Sequence, residues 1–217
     1  MNMKTYQSHI RSLLSPAQRR IFARLNSPQE IQTFLDSFPV RVGREHTMHG
    51  PTTILKERRA HCMEGAMLAA AILAYHGRPP LLLDITTTGD DFDHVVTLFK
   101  DAGRWGAISK TNYPVLRWRD PVYKTVRELA MSYFHEIFLN SGRKTMRSYS
   151  APFDLRKFKP EEWITAKGNL DWVAEELEDS PHSPIALSKL MKNLRRASSI
   201  EIKATALREW DKRGKHS

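Results

Sequence analysis

Only one cysteine, Cys62, stands among the 217 residues. No intrachain disulfide can form, so a small secreted scaffold stapled by bridges is excluded. Long hydrophobic runs are also missing. The longest, over 66–75, is far short of the ~20 apolar residues that a membrane span needs, and no membrane partner is expected. The opening M-N-M-K-T-Y-Q-S-H-I-R lacks the apolar stretch of a signal peptide, which points to the reducing cytoplasm. Neither G-x-x-x-x-G-K nor G-x-G-x-x-G occurs, so no nucleotide cofactor is expected. With no second cysteine and no H-E-x-x-H, a metal centre is not expected either. His46, His49, His61 and Glu64 come nearest to one, and they read as a polar loop beside a cleft.

What the chain has is an ordinary globular composition, 41% hydrophobic and 27% charged, which rules out wholesale disorder. Its net charge of +10 is unevenly spread: +5 over residues 1–120, −1 over 121–184 and +6 over 185–217. A basic C-terminal tail of this kind holds polyanions weakly and without sequence preference. It makes a nucleic-acid-associated protein one class to weigh.

Punctuation along the chain predicts an α+β fold. Ser15-Pro16 and the capping box Ser27-Pro28-Gln29-Glu30 open two short helices. The stretch 39–51 reads as a loop. C-M-E-G-A-M-L-A-A-A-I-L-A-Y-H-G is apolar nearly all round and ends on His76-Gly77, so it predicts a buried central helix. Strands are expected over 81–86, 93–99 and 105–109, the last two joined by the turn 101–104. An amphipathic helix over 123–139, an irregular segment wrapped over the core at 140–169, and helices near 170–178 and 184–197 complete the reading. The organisation expected is an N-terminal helical segment (1–45), a core (46–140) and a wrapping segment with a basic helical extension (141–217), in one compact domain.

Cys62 is the residue with chemical promise. Lone cysteines are usually buried packing. This one opens a long helix, where free N–H groups and the helix dipole favour a thiolate. Gly65 and Ala66 would allow close backbone approach. A thiolate nucleophile needs an imidazole to take up and return a proton. His94, at the start of a central strand after an acidic loop, is the candidate.

In these segments the sequence resembles the transglutaminase-like superfamily, a branch of the papain-like fold. The resemblance covers about residues 50–120 and rests on R-A-H-C-M-E-G-A-M-L-A-A-A-I-L-A-Y-H-G-R-P-P-L-L-L-D-I, D-H-V-V-T-L-F and G-R-W-G-A-I-S. It implies a buried helix on an antiparallel sheet, with Cys62 as nucleophile and His94 as base. Where the family places an orienting aspartate this chain has Ser109, which carries no charge to stabilise an imidazolium. Asn112 could orient the ring instead, as could Asp84, Asp91 or Asp93. The function implied is a cysteine hydrolase or acyltransferase acting on a peptide or other amide through a thioester at Cys62. The Cys62 N–H would be one oxyanion donor. The opposing class is a non-catalytic binding protein that keeps the scaffold with a degenerate triad.

Overall fold

The computed structural model describes residues 2–41 and 48–208. Three helices lead the chain: α1 (Met3–Leu13), α2 (Pro16–Arg24) and α3 (Pro28–Asp36). Ser15 and Ser27 cap α2 and α3 in reciprocal capping boxes with Gln18 and Glu30, as their sequence signature predicts. The first helix escapes notice in the sequence because only Tyr6 and Ile10 mark its buried face. Part of the 39–51 loop, including His46, lies outside the described residues. Then come α4 (Pro51–Glu57) and the central α5 (Cys62–Tyr75). Every residue of α5 from Met63 to Tyr75 is buried, as an all-round apolar helix must be.

The strands β1 (Leu81–Thr86), β2 (His94–Asp101) and β3 (Arg104–Ile108) form an antiparallel meander. Ala102 and Gly103, both at positive φ (47° and 78°), make the two-residue turn between β2 and β3. The chain continues through β4 (Arg119–Tyr123), α6 (Val126–Met131), β5 (Ser148–Ser150) and β6 (Phe153–Asp154). It ends in α7 (Pro160–Trp163), α8 (Asp171–Glu178), β7 (His182–Pro184), α9 (Ser188–Met191) and α10 (Ser199–Thr205). The seven strands form one antiparallel sheet in the order β4-β3-β2-β1-β5-β7, with β6 also paired to β1. The fold is mixed α+β.

Two apolar layers sandwich the sheet. On one face α5 packs with the N-terminal helices, Trp163, Val173 and Leu177, against Leu82, Val95, Phe99 and Ile108. Thr97 Oγ1 donates to the Ala66 carbonyl of α5 at 2.6 Å on this face. On the other face Leu129, Tyr133, Ile137, Met146 and Ile185 cover Leu83, Ile85, Val96, Leu98 and Ala107.

Downstream of β3 the elements are shorter than the sequence pattern predicts. The helix expected over 123–139 runs only from Val126 to Met131, and the buried stripe of Tyr133, Phe134 and Ile137 continues through turns. Of the helix expected over 184–197 only Ser188–Met191 is helical, and β7 precedes it.

Candidate functional site

Cys62 is the first residue of α5, and Glu64 organises the turn around it. The fully buried Glu64 carboxylate accepts the His61 N–H and the His49 N–H, each at 3.1 Å, and Arg41 Nε at 2.9 Å. Glu64 is therefore committed to Arg41 and the backbone, with the His49 and His61 rings 3.5 and 3.8 Å from its oxygens. Among the described residues no group of three His, Cys, Asp or Glu side chains is placed to hold a metal ion.

Cys62 as a residue is half-buried, and its thiol meets the backbone N–H groups of Val95 and Met63 and its own N–H, which draw its pKa down. Burial outweighs them and pushes the thiol above its ordinary range, and the charge of Asp84 adds to the rise. Helix position alone argues for a lowered value; here desolvation is the larger effect.

His94 lies on the other side of the sheet. It is paired with Ile85 of β1, and residues directly opposite in an antiparallel pair project to the same face. Ile85 belongs to the layer away from α5, as do Val96 and Leu98 further along β2, whereas Val95 and Phe99 face α5. The His94 ring accordingly meets Tyr133 edge-on, with centroids 6.1 Å apart. Its Nε2 is 2.8 Å from Ser109 Oγ, and the Leu116 backbone is a second hydrogen-bond partner. Burial lowers the ring's pKa to about 4, so at neutral pH it is uncharged. The structure sets His94 beside Ser109, and among the described residues no hydrogen bond joins His94 to Cys62. Ser109 is further fixed by Gln32, which accepts its N–H and donates to its carbonyl, both at 2.9 Å. Asn112 is buried, and among the described residues no hydrogen bond joins its side chain to His94.

The face that carries Cys62 holds a different acid–base pair, which the sequence did not signal. Asp84 lies opposite Val95 on this face, and its Oδ2 is 3.3 Å from His182 Nε2 on β7. Ser150 of β5, opposite His182, joins the same row, its hydroxyl oxygen accepting the Asp84 N–H at 2.9 Å. Desolvation, and secondarily the charge of Asp93, raise Asp84 to about 6. The other acidic candidates lie off this row: Asp93 accepts the Thr87 N–H at 2.6 Å, and Asp91 accepts the Thr145 hydroxyl. His182 could not be singled out in advance, because its place beside Asp84 depends on sheet order across 98 residues of chain.

No protein-family profile and no curated protein matches the chain. Seventeen chains of solved structures do. One is Legionella pneumophila LapG, 12% identical over 51% of this chain and 73% of that one, with a TM-score of 0.35. Another is EGTA-treated Legionella pneumophila LapG, 10% identical over 76% of this chain and 97% of that one, with a TM-score of 0.39. Both likenesses are too distant to bear on the site, whose chemistry rests on the geometry above.

Proposed function

We propose that this chain is a binding module on a transglutaminase-like scaffold, in which Cys62 is not the nucleophile of a Cys62–His94 dyad. The observation that carries this reading is the parity of β2, which turns the His94 ring to the face away from α5. Two further features support it. The thiol is held protonated by burial, and the imidazole is neutral with Ser109 and the Leu116 backbone as its partners. A general base needs to reach the proton it takes and to have a pKa near the working pH, and His94 meets neither condition.

Iodoacetamide labelling of Cys62 at neutral pH, followed by mass spectrometry, tests this. The expected rate is no faster than that of a free thiol, and within about twofold of it in His94→Ala, because a raised pKa leaves little thiolate. Labelling well above the free-thiol rate that falls about tenfold or more in His94→Ala would overturn the reading. Partial unfolding of the variant cannot mimic that result, since unfolding exposes the thiol and speeds its labelling. The same assay serves a second reading, a cysteine hydrolase that uses the imidazole on the Cys62 face. It is favoured by the Asp84–His182 pair lying on that face and by the Asp84 charge reaching the thiol. Under it, fast labelling would be lost in His182→Ala and kept in His94→Ala.

A further inference from the structure

The face of the molecule away from α5 carries a cation cluster that plays no part in the Cys62 region. A cavity of about 170 Å³ is lined by Arg143, Lys144, Arg147, Lys192 and Arg196. Met191 and Leu194 supply its apolar wall. Two segments distant in sequence build it: the run R-K-T-M-R leading into β5, and the end of α9 with the chain that follows it.

Backbone contacts fasten the two segments together. The Ala197 N–H donates to the Gly142 carbonyl at 2.8 Å, and the Ile185 N–H to the Arg147 carbonyl at 3.0 Å. Arg196 donates to the Ser141 carbonyl at 3.3 Å. Gly142 has a φ of +77°, and a Cβ there would lie 2.7 Å from the Ala197 carbonyl oxygen, so a side chain would push the segments apart. The cavity is therefore fixed by the fold.

Its charge is poorly balanced. Arg143 is paired with Asp90 and also donates to Thr88 Oγ1 at 3.3 Å. Among the described residues no carboxylate lies within ion-pairing distance of Lys144, Arg147, Lys192 or Arg196. Lys144 is only 8% exposed, and its Nζ donates to His135 Nδ1 at 2.9 Å. Arg147 uses one terminal nitrogen on the carbonyls of Lys144 and Met146, at 3.2 and 2.9 Å. Partial burial, and then the neighbouring Arg143 charge, hold its guanidinium below the ordinary value.

Four cations without a carboxylate partner around so small a space call for one compact, multiply charged anion. Guanidinium forks match phosphate oxygens in bidentate geometry, and ammonium groups add point charge. The volume is below the ~300–1,000 Å³ of pockets that enclose a whole drug-sized ligand, so the charged group alone would sit inside. We propose that this cavity binds a small molecule through a phosphate or diphosphate group held by Arg147, Lys192 and Arg196 beside Lys144. Three of the five lining cations belong to 143–147, so the site is more than an attraction to the basic tail.

Calorimetric titration of the full chain with inorganic pyrophosphate at low salt tests the proposal. Saturable one-to-one binding is expected. Arg147→Gln and Lys192→Gln should each weaken it by about tenfold or more, the usual consequence of losing a hydrogen bond to a charged group. Lys56→Gln, an exposed change on α4, should leave it within about twofold. Lys192 is itself exposed, so its variant tests the site without risk to the fold. Absence of saturable binding at millimolar pyrophosphate would overturn the proposal. Equal weakening by Lys56→Gln would also do so, by showing diffuse attraction to net charge. A short single-stranded oligonucleotide, or phosphatidylglycerol vesicles, bound through Lys192 while pyrophosphate is not, would overturn it in favour of a nucleic-acid or membrane surface. None of these outcomes touches the reading of Cys62, which the labelling assay decides separately.

Discussion

The Asp84 carboxyl is 2% exposed, and its Oδ1 has no hydrogen-bond partner among the described residues, while Oδ2 faces His182. Burial, and then the charge of Asp93, raise its pKa from 3.8 to about 6 against the opposing pull of His182. A carboxyl whose pKa is higher in the folded state binds more protons there than in the unfolded chain. Its contribution to stability is therefore greatest below pH 3.8 and is lost as pH rises toward 6. At one pKa unit per ~1.4 kcal/mol the loss is about 3 kcal/mol above that window. Asp84→Asn should accordingly be more stable than wild type at pH 7, and the advantage should vanish near pH 4. Urea unfolding of both proteins at a series of pH values measures this. A difference that stays constant with pH would show that Asp84 does not titrate as its burial implies. The same scale shows what the sequence could reveal. Cys62 at a helix start and His94 at a strand start were legible from the residues, whereas Ser109 came into view only through the family resemblance. The face of His94 was not legible, because β2 is buried on both sides from His94 to Phe99. A strand that is apolar on both faces has no alternation by which to tell one from the other.

At the scale of elements, Gly65 lets α5 close on the segment that leaves β3. A Cβ built there would lie 2.3 Å from Lys110 Cβ and 3.0 Å from Lys110 Cγ. Lys110 cannot swing away freely, since its side chain is buried and its Nζ donates to the Phe38 carbonyl at 2.5 Å. In an open helix, glycine to alanine stabilises by about 1 kcal/mol. Here overpacking should reverse the sign, and Gly65→Ala should cost roughly 1–3 kcal/mol. Thermal unfolding decides it, and a variant as stable as wild type would mean that α5 and the segment around Lys110 can part at small cost. Close approach at Gly65 was legible from the small residues Gly65 and Ala66. So were α2, α3, α5 and the three central strands, whose caps, turn and apolar runs are strong local signals. The edge strands β4 and β7 were not. Each is short and holds a proline, Pro121 or Pro184, which local reading treats as a break and which a sheet tolerates near its edge. The helix expected over 123–139 failed for a related reason. Tyr133, Phe134 and Ile137 keep near-helical spacing because they line one buried surface, although the backbone there turns rather than coils.

Across the whole molecule, one contact ties the beginning of the chain to its last third. Tyr6 of α1 and Trp163 of α7 are both fully buried, 157 residues apart, and Trp163 Nε1 donates to Tyr6 Oη at 2.9 Å. The same hydroxyl donates to the Leu155 carbonyl at 3.2 Å. Burial pushes the Tyr6 hydroxyl up to about 12, so it remains a donor across the working pH range. One hydroxyl thus satisfies an indole N–H and a backbone carbonyl that would otherwise be stranded in the layer around α5. Tyr6→Phe keeps the ring and its packing but leaves both partners unmet. A buried polar group without its partner costs about 1–3 kcal/mol, so a loss of ~2 kcal/mol is expected. For a chain of this size that is a fall in Tm of about 4–8 °C. The effect should be global, because α1 packs on both α5 and α7. Hydrogen exchange should show protection falling together in the amides of α1 and α5, with far-UV circular dichroism giving the same lower midpoint. If only α1 exchanges faster while α5 and the midpoint stay unchanged, the first helix is a separately opening unit, and the Tyr6–Trp163 contact does not couple the ends of the chain to the core.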